Sequence, residues 1–210
     1  MKKGIFFFAV AITVGTLSSC KGDSPVEDAP VEETKICYYS YEHGTSFLEW
    51  TGYKTSANVG VSGSFNDFEV TGGESSDDPK EVIESLSFVI QTASVETKLE
   101  ARNKKLAENF FGSMTSTEEI TGNVKSLNED GKAILSITMN EVTVDVEGVY
   151  KLSEGKFEFS TTINMEAWNA IGAIDALSEV CKEQHTGDDG ILRTSSEVAL
   201  VFSTQLSSDC

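Results

Sequence analysis

The chain has 210 residues, and its 34 acidic side chains outnumber its 16 lysine and arginine side chains, so its formal net charge is −18. A surface this acidic repels phosphate backbones, which excludes nucleic acid as a partner. The length is that of one domain with a sizeable core, and it leaves the oligomeric state open.

The first 19 residues predict a lipoprotein signal peptide. Lys2 and Lys3 precede a mostly apolar run from Ile5 to Leu17, which is the pattern of a secretory signal and is too short to span a bilayer. Leu17-Ser18-Ser19-Cys20 resembles the bacterial lipobox, whose cysteine receives lipid before cleavage. We therefore expect lipid attachment at Cys20 and a membrane anchor of several acyl chains. The alternative is an ordinary secretory signal that ends by chance at a cysteine.

Residues 20–35 predict an acidic tether behind this anchor. They contain Pro25, Pro30 and four carboxylates between Glu27 and Glu33, with few apolar side chains to pack. Such a segment stays extended. Lys21-Gly22-Asp23 loosely resembles the signals that send lipoproteins to the outer face of the outer membrane. We expect a location in the bacterial cell envelope, anchored to the outer membrane on its periplasmic face or at the cell surface.

Period-two alternation dominates after residue 36 and predicts half-buried strands. The first two are expected around Ile36–His43 and Phe47–Lys54. Glycines in the segments 128–131 and 153–155 suit tight turns between strands. This pattern predicts an antiparallel sheet in a barrel or a sandwich. The later alternating segments are 59–65, 86–90, 120–124, 135–139, 142–150, 157–165 and 198–206.

Two segments predict helices that cap the sheet. Leu99–Phe111 is rich in Glu, Ala, Lys and Leu, and Met165–Lys182 places apolar residues at spacings of three and four. Gly72–Pro79 is polar and predicts a loop.

The cysteines indicate one disulfide. If Cys20 carries lipid, three cysteines remain in an oxidising compartment, and one thiol is left over. Cys181 closes the second predicted helix and Cys210 is the last residue, so a Cys181–Cys210 bond would pin the C-terminus. We favour that pairing, with Cys37–Cys210 as the main alternative.

Catalytic motifs are missing from the sequence. His43 and His185 are the only histidines, and neither has a nucleophile motif nearby. Cys181 and His185 are four residues apart, as zinc ligands on a helix sometimes are, but no second ligand pair exists. No glycine-rich phosphate loop follows a strand. We predict a chain that is not an enzyme and has no metal site.

The motifs in order resemble a known family. Trp50-Thr51-Gly52-Tyr53-Lys54, followed by the segment 61–68, is similar to the opening of YceI-like domains. Ser94-Val95-Glu96-Thr97, Arg102-Asn103 and Phe110-Phe111 resemble the strand end, helix and phenylalanine pair that follow in that family. The resemblance covers residues 46–165 and a final strand at 197–206, and the acidic, lipid-anchored start resembles members from Bacteroidota.

The resemblance implies an all-β fold over residues 36–210, a lipocalin-like antiparallel barrel of about eight strands with one or two capping helices. In the family an apolar tunnel fills the barrel, and some members hold a polyisoprenoid or fatty amphiphile there. We therefore expect an envelope lipoprotein that binds or carries a polyisoprenoid, an isoprenoid quinone or a fatty amphiphile, with no cofactor besides such a lipid. The alternative is a non-enzymatic structural or interaction lipoprotein with a packed barrel and no ligand.

The resemblance and the inward parity of the strands also suggest site residues. Thr97 and Arg102 are candidates for the polar end of a ligand, because they lie at a barrel end in the family. Asn103 stands where the family usually has Asp, so Arg102 lacks that partner. We expect Arg102 to be mainly structural, with Arg102→Ala more destabilising than Asn103→Ala. The candidates for the tunnel lining are Phe65, Phe68, Phe88, Ile90, Phe110, Phe111, Met114, Ile137, Met139, Val144, Val146 and Phe159.

Overall fold

The computed structural model describes residues 35–210, in which eleven strands form one antiparallel sheet. The predicted signal peptide, Cys20 and the tether as far as residue 34 lie outside the described residues. Strand β2 has the predicted bounds, and the other alternating segments also form strands. The strands are β1 Tyr38–Tyr41, β2 Phe47–Lys54, β3 Val59–Phe65, β4 Phe68–Thr71, β5 Ser87–Gln91, β6 Val95–Glu96, β7 Glu119–Leu127, β8 Lys132–Met139, β9 Val142–Ser153, β10 Lys156–Asn164 and β11 Thr194–Asp209.

Two kinked strands close this sheet into a barrel. β3 runs into β4 and pairs with β6, while β5 runs into β6 and pairs with β4. At the kink, the Asn66 amide donates to the Ser94 carbonyl and the Gln91 amide to the Asp67 carbonyl, each at 2.9 Å. If each kinked pair counts as one strand, the wall has eight strands, and β1 is added alongside β11. The predicted antiparallel barrel is confirmed.

The helices lie at the two ends of the barrel. α1 Pro79–Glu84 falls in and after the predicted loop, where Asp78 Oδ1 accepts from the Lys80 amide at 2.8 Å and Pro79 begins the first turn. At the other end, α2 Glu100–Lys105 continues as a π-helix and a 3-10 turn to Ser113. The second predicted helix is divided into a 3-10 turn Met165–Trp168, α3 Ile171–Val180 and α4 Lys182–His185. Its break lies at Asn169, whose φ is +56°.

The two barrel ends are built differently. At the end with α1, Val82, Ile83 and Leu86 are buried in the barrel core. At the opposite end, Ser178 of α3 contacts Thr194 at the start of β11, and Lys105 of α2 contacts the carbonyl of Val180 in α3. No helix within residues 35–210 has both the length and the hydropathy needed to span a bilayer.

The favoured disulfide was wrong, because the structure joins Cys37 to Cys210 with a Cα–Cα distance of 4.4 Å. β1 pairs with the end of β11, with Tyr38 opposite Asp209, which places the two cysteines side by side. β11 has 16 residues, so it carries Cys210 about 50 Å from the strand start near Cys181. Cys181 is a buried free thiol.

Candidate functional site

An apolar cavity of about 450 Å³ lies inside the barrel. Residues from β2, β3, β4, β5, β7, β8, β10 and β11 form its walls, and residues from α2 and α3 cover one end. This volume falls within the range of roughly 300–1,000 Å³ for ligand sites. The barrel is therefore hollow, as a ligand-binding barrel requires.

Aromatic rings cross inward-facing glycines and shape the inside of the barrel. A Cβ added to Gly63 would come within 2.4 Å of the Trp50 ring, and one added to Gly122 within 2.3 Å of the Phe88 ring. Trp50 and Phe88 both line the cavity. Each glycine therefore leaves room for a ring from the neighbouring strand, which sets the width of the cavity.

Most of the residues suggested for the lining do lie on the cavity wall. Phe110 and Phe111 approach the cavity from the helical end, where their ring centroids are 5.0 Å apart. Their placement at the wall is observed, while contact with a ligand stays a prediction. The candidates at the wall are Phe65, Phe68, Phe88, Ile90, Phe110, Phe111, Ile137, Met139 and Phe159.

Three suggested lining residues are wrong. Val144 and Val146 share the inward parity of β9, but no residue of β9 lines the cavity. Phe159 covers this wall, because a Cβ at Gly148 of β9 would lie 2.3 Å from its ring. Met114 follows the 3-10 turn and packs against the core without reaching the cavity. Inward parity alone does not separate these positions from the cavity wall.

Apart from Phe159, the suggested lining left out a second wall, formed by β2, β10 and β11. Alternation in β11 already put Val198, Leu200 and Phe202 on one face, and Leu200 lies opposite Trp50 in the ladder between β11 and β2. These same-face residues could have been included from parity alone. The further lining residues of this wall are Leu48, Trp50, Phe157, Ile163, Val198, Leu200 and Phe202.

Thr97 is not at the polar end of the cavity. It is buried, and both its amide and its hydroxyl donate to Asn103 Oδ1, at 2.8 and 2.6 Å. The Asn103 side chain also hydrogen-bonds Glu96, which with the Lys98 amide lowers the pKa of the Glu96 carboxyl. Asn103 therefore fastens α2 to the end of β6, the structural role expected of Arg102.

Arg102 lies on the cavity lining together with Lys54 and Lys105. Nearby, Leu99, Ala101 and Gln184 are solvent-exposed and also line the cavity. The cavity therefore opens to solvent at this end, and we call the opening bounded by Leu99, Ala101 and Gln184 the mouth.

His185 lies at the mouth and is held by a short polar chain. Its Nδ1 is 2.6 Å from Thr194 Oγ1, which is also 2.6 Å from Ser178 Oγ. Burial, together with the nearby charges of Lys54 and Lys105, lowers the pKa of His185 to about 4. At neutral pH the imidazole is uncharged and serves as a hydrogen-bonding group.

Nothing in residues 35–210 forms a group of three or more histidine, cysteine or acidic side chains suited to a metal ion. Cys181 and His185 both line the cavity, and no carboxylate stands among the lining residues.

Comparison with known proteins identifies the family. Residues 39–206 match the YceI-like domain. The chain belongs to the YceI-like family. This match begins in β1, before the resembling segment, and it also covers residues 166–196, which the resemblance left out.

Solved structures of this fold are similar to the chain at low identity. A polyisoprenoid binding domain from Saccharophagus degradans has a TM-score of 0.57 at 15% identity, covering 81% of this chain and 98% of that one. BcnA of Burkholderia cenocepacia has a TM-score of 0.53 at 16% identity, covering 81% and 99%. The YceI protein of Campylobacter jejuni has a TM-score of 0.50 at 17% identity, covering 71% and 85%. No curated protein sequence matches the chain. These likenesses establish the fold of this YceI-like barrel.

Proposed function

We propose that this chain is an envelope lipoprotein that binds or carries one apolar chain, of a polyisoprenoid, an isoprenoid quinone or a fatty amphiphile, inside its barrel. The observation that carries the proposal is the apolar cavity of about 450 Å³ that opens at the mouth. Each CH₂ buried there gains about 0.8 kcal/mol, so even a partly inserted tail binds favourably. A packed barrel would leave no such volume.

The similar structures also support binding of an apolar chain. The Saccharophagus degradans domain is named for polyisoprenoid binding, and this chain shares its fold at 15% identity. The lining of this chain is apolar enough for the same class of ligand.

Mass spectrometry of organic extracts from the purified chain tests binding. We expect a reproducible lipid-like molecule in the extract and uptake of a fluorescent fatty acid after delipidation. Empty extracts together with no uptake would overturn the proposal.

Two neighbouring residues of β11 provide a matched pair of variants. Leu200 lines the cavity, while Val201 faces outward and is 44% exposed. Leu200→Trp should fill part of the cavity and abolish or strongly reduce uptake, and Val201→Trp should leave uptake unchanged. Equal uptake by both variants would contradict binding inside the barrel.

The anchor is tested separately. Replacement of Cys20 by alanine should release the domain or leave the signal uncleaved, and labelled palmitate should no longer attach. Unchanged palmitate labelling would show that Cys20 is not the acceptor. Protease shaving of intact cells then distinguishes the cell surface from the periplasmic face of the outer membrane.

A further inference from the structure

The charged residues that line the cavity are basic, although the chain as a whole is acidic. The whole chain carries 34 acidic and 16 basic side chains, yet the lining includes Lys54, Arg102 and Lys105 and no aspartate or glutamate. Because acidic side chains outnumber basic ones about two to one in the chain, a random set of three charged residues would be expected to include carboxylates. The mouth is therefore a positive site on an acidic protein.

These cations belong to one local cluster. Lys54 lies opposite Thr194 in the ladder between β2 and β11, and Thr194 contacts His185. Lys105 Nζ donates to the Val180 carbonyl at 2.9 Å, which holds the Lys105 side chain across the gap between α2 and α3. Arg102 precedes Lys105 by three residues, so the two project from the same face of α2.

Within residues 35–210, the three cations have no ion-pair partner. Among residues 35–210 there are six ion pairs, and none includes Lys54, Arg102 or Lys105. By contrast, Lys104 of α2 is exposed, and its Nζ lies 3.8 Å from Glu108 Oε1. The low pKa of His185 agrees with this arrangement, because Lys54 and Lys105 disfavour a further positive charge there.

We propose that the cavity selects amphiphiles with an anionic headgroup, a carboxylate or a phosphate, which Lys54, Arg102 and Lys105 bind at the mouth while the tail lies in the barrel. The inference rests on the proposed binding function and narrows its ligand. An anion supplies the missing counter-charge, and charge-assisted hydrogen bonds are stronger than those to a neutral group. A neutral quinone would leave the three cations uncompensated beside an apolar tail.

Probes with the same tail and different headgroups test this selection. The delipidated chain is titrated with palmitate and hexadecanamide, and with geranylgeranyl phosphate and geranylgeraniol. We expect the anionic member of at least one pair to bind about tenfold or more tightly than its neutral partner, which is the size expected for a hydrogen bond to a charged group. Preference within the first pair assigns a carboxylate ligand, and preference within the second assigns a phosphate.

Charge-neutralising variants locate the selection at the mouth. Arg102→Gln and Lys54→Gln should each reduce the preference for the anion by several-fold, because each removes one cation from the mouth. Lys104→Gln is the matched control, because it removes the same charge from α2 at a side chain that is 71% exposed and outside the lining. An equal loss in the control would mean that overall charge, and not the mouth, sets the preference.

The two histidines provide a readout that does not depend on affinity. An anion beside His185 should raise the pKa of that ring in an NMR titration, whereas the neutral probe should not. His43 is exposed on the loop between β1 and β2, so its ring signals should not respond to either probe. Equal affinity for anionic and neutral probes, with no shift at His185, would overturn the inference. If no probe of either kind binds, the proposed function itself fails.

Discussion

Helices lie at both ends of the barrel, but they have opposite effects there: α1 closes one end, and α2 leaves the other end open. At the closed end, α1 buries Val82 and Ile83 almost completely, and the Cys37–Cys210 bond ties β1 to β11. At the mouth, α2 leaves Leu99 half exposed and places Arg102 beside the cavity. One end therefore supplies stability, and the other gives up packing to leave an entrance.

This difference indicates where a hollow barrel obtains its stability. A cavity of about 450 Å³ removes contacts that a packed core would make. The closed end and β9, which contributes no residue to the cavity wall, must offset that loss. Substitutions at the closed end should therefore affect folding, and substitutions at the mouth should mainly affect ligand selection.

The largest effect is expected from Ile83→Ala. Ile83 of α1 is 0% exposed, and truncation of such a side chain leaves a cavity and costs about 2–5 kcal/mol. Leu99→Ala at the mouth, where Leu99 is 50% exposed, should change the free energy of unfolding by less than about 0.5 kcal/mol. Urea denaturation of both variants measures the contrast. A larger loss for Leu99→Ala would contradict the division of roles between the two ends.

Removal of the disulfide should have the next largest effect. The bond joins residues 173 positions apart, and loss of a native disulfide typically costs about 2–4 kcal/mol. The double variant Cys37→Ser, Cys210→Ser should lower the denaturation midpoint accordingly. Cys181→Ala, which alters only the buried free thiol, serves as the control for loss of a cysteine. If the control loses as much stability as the double variant, the crosslink is not the cause.

The sequence predicted the strands well and the contacts between strands poorly. Alternation located β3 with its correct bounds and the parity of β11, because one buried face imposes a period of two. The disulfide depended on the pairing of β1 with the far end of β11, and no local pattern encodes that register. The absence of β9 from the cavity wall also depends on a contact between strands, because the Phe159 ring of β10 crosses Gly148 of β9.

The mouth was only partly predictable. The family resemblance pointed to Arg102 and contained Lys54 in its opening motif, but nothing in the sequence marks Lys54 or Lys105 as a residue of the cavity. Their meeting depends on how α2 packs against α3 and on the ladder that places Lys54 opposite Thr194. Thr97 was misplaced for a similar reason, because its partner Asn103 departs from the usual family residue and still accepts two hydrogen bonds.

A smaller loss of stability is expected from Asn103→Ala, and a still smaller one from Arg102→Ala. This order is the opposite of the one expected from the sequence. Asn103→Ala leaves the amide and hydroxyl of buried Thr97 without their acceptor, which costs about 1–3 kcal/mol. Arg102→Ala should cost less, because Arg102 takes part in no ion pair within residues 35–210. Melting temperatures of the two variants measure the order. A larger loss for Arg102→Ala would restore the structural role for its guanidinium.

The smallest effect concerns the pH dependence contributed by His185. Its pKa in the folded chain is lowered from 6.5 to about 4, first by burial and then by Lys54 and Lys105. The unfolded chain therefore takes up a proton more readily, so this contribution to stability is complete above pH 6.5 and declines as the pH falls towards 4.

His185→Gln isolates that contribution, because glutamine keeps a hydrogen-bonding group near Thr194 and does not titrate. Between pH 7 and pH 4 the melting temperature of the original chain should fall more than that of the variant, while the carboxylates lower both. Because His185 is only partly buried, the difference should be smaller than the loss caused by Asn103→Ala. Parallel melting curves would mean that the ring at the mouth is as well hydrated as in the unfolded chain.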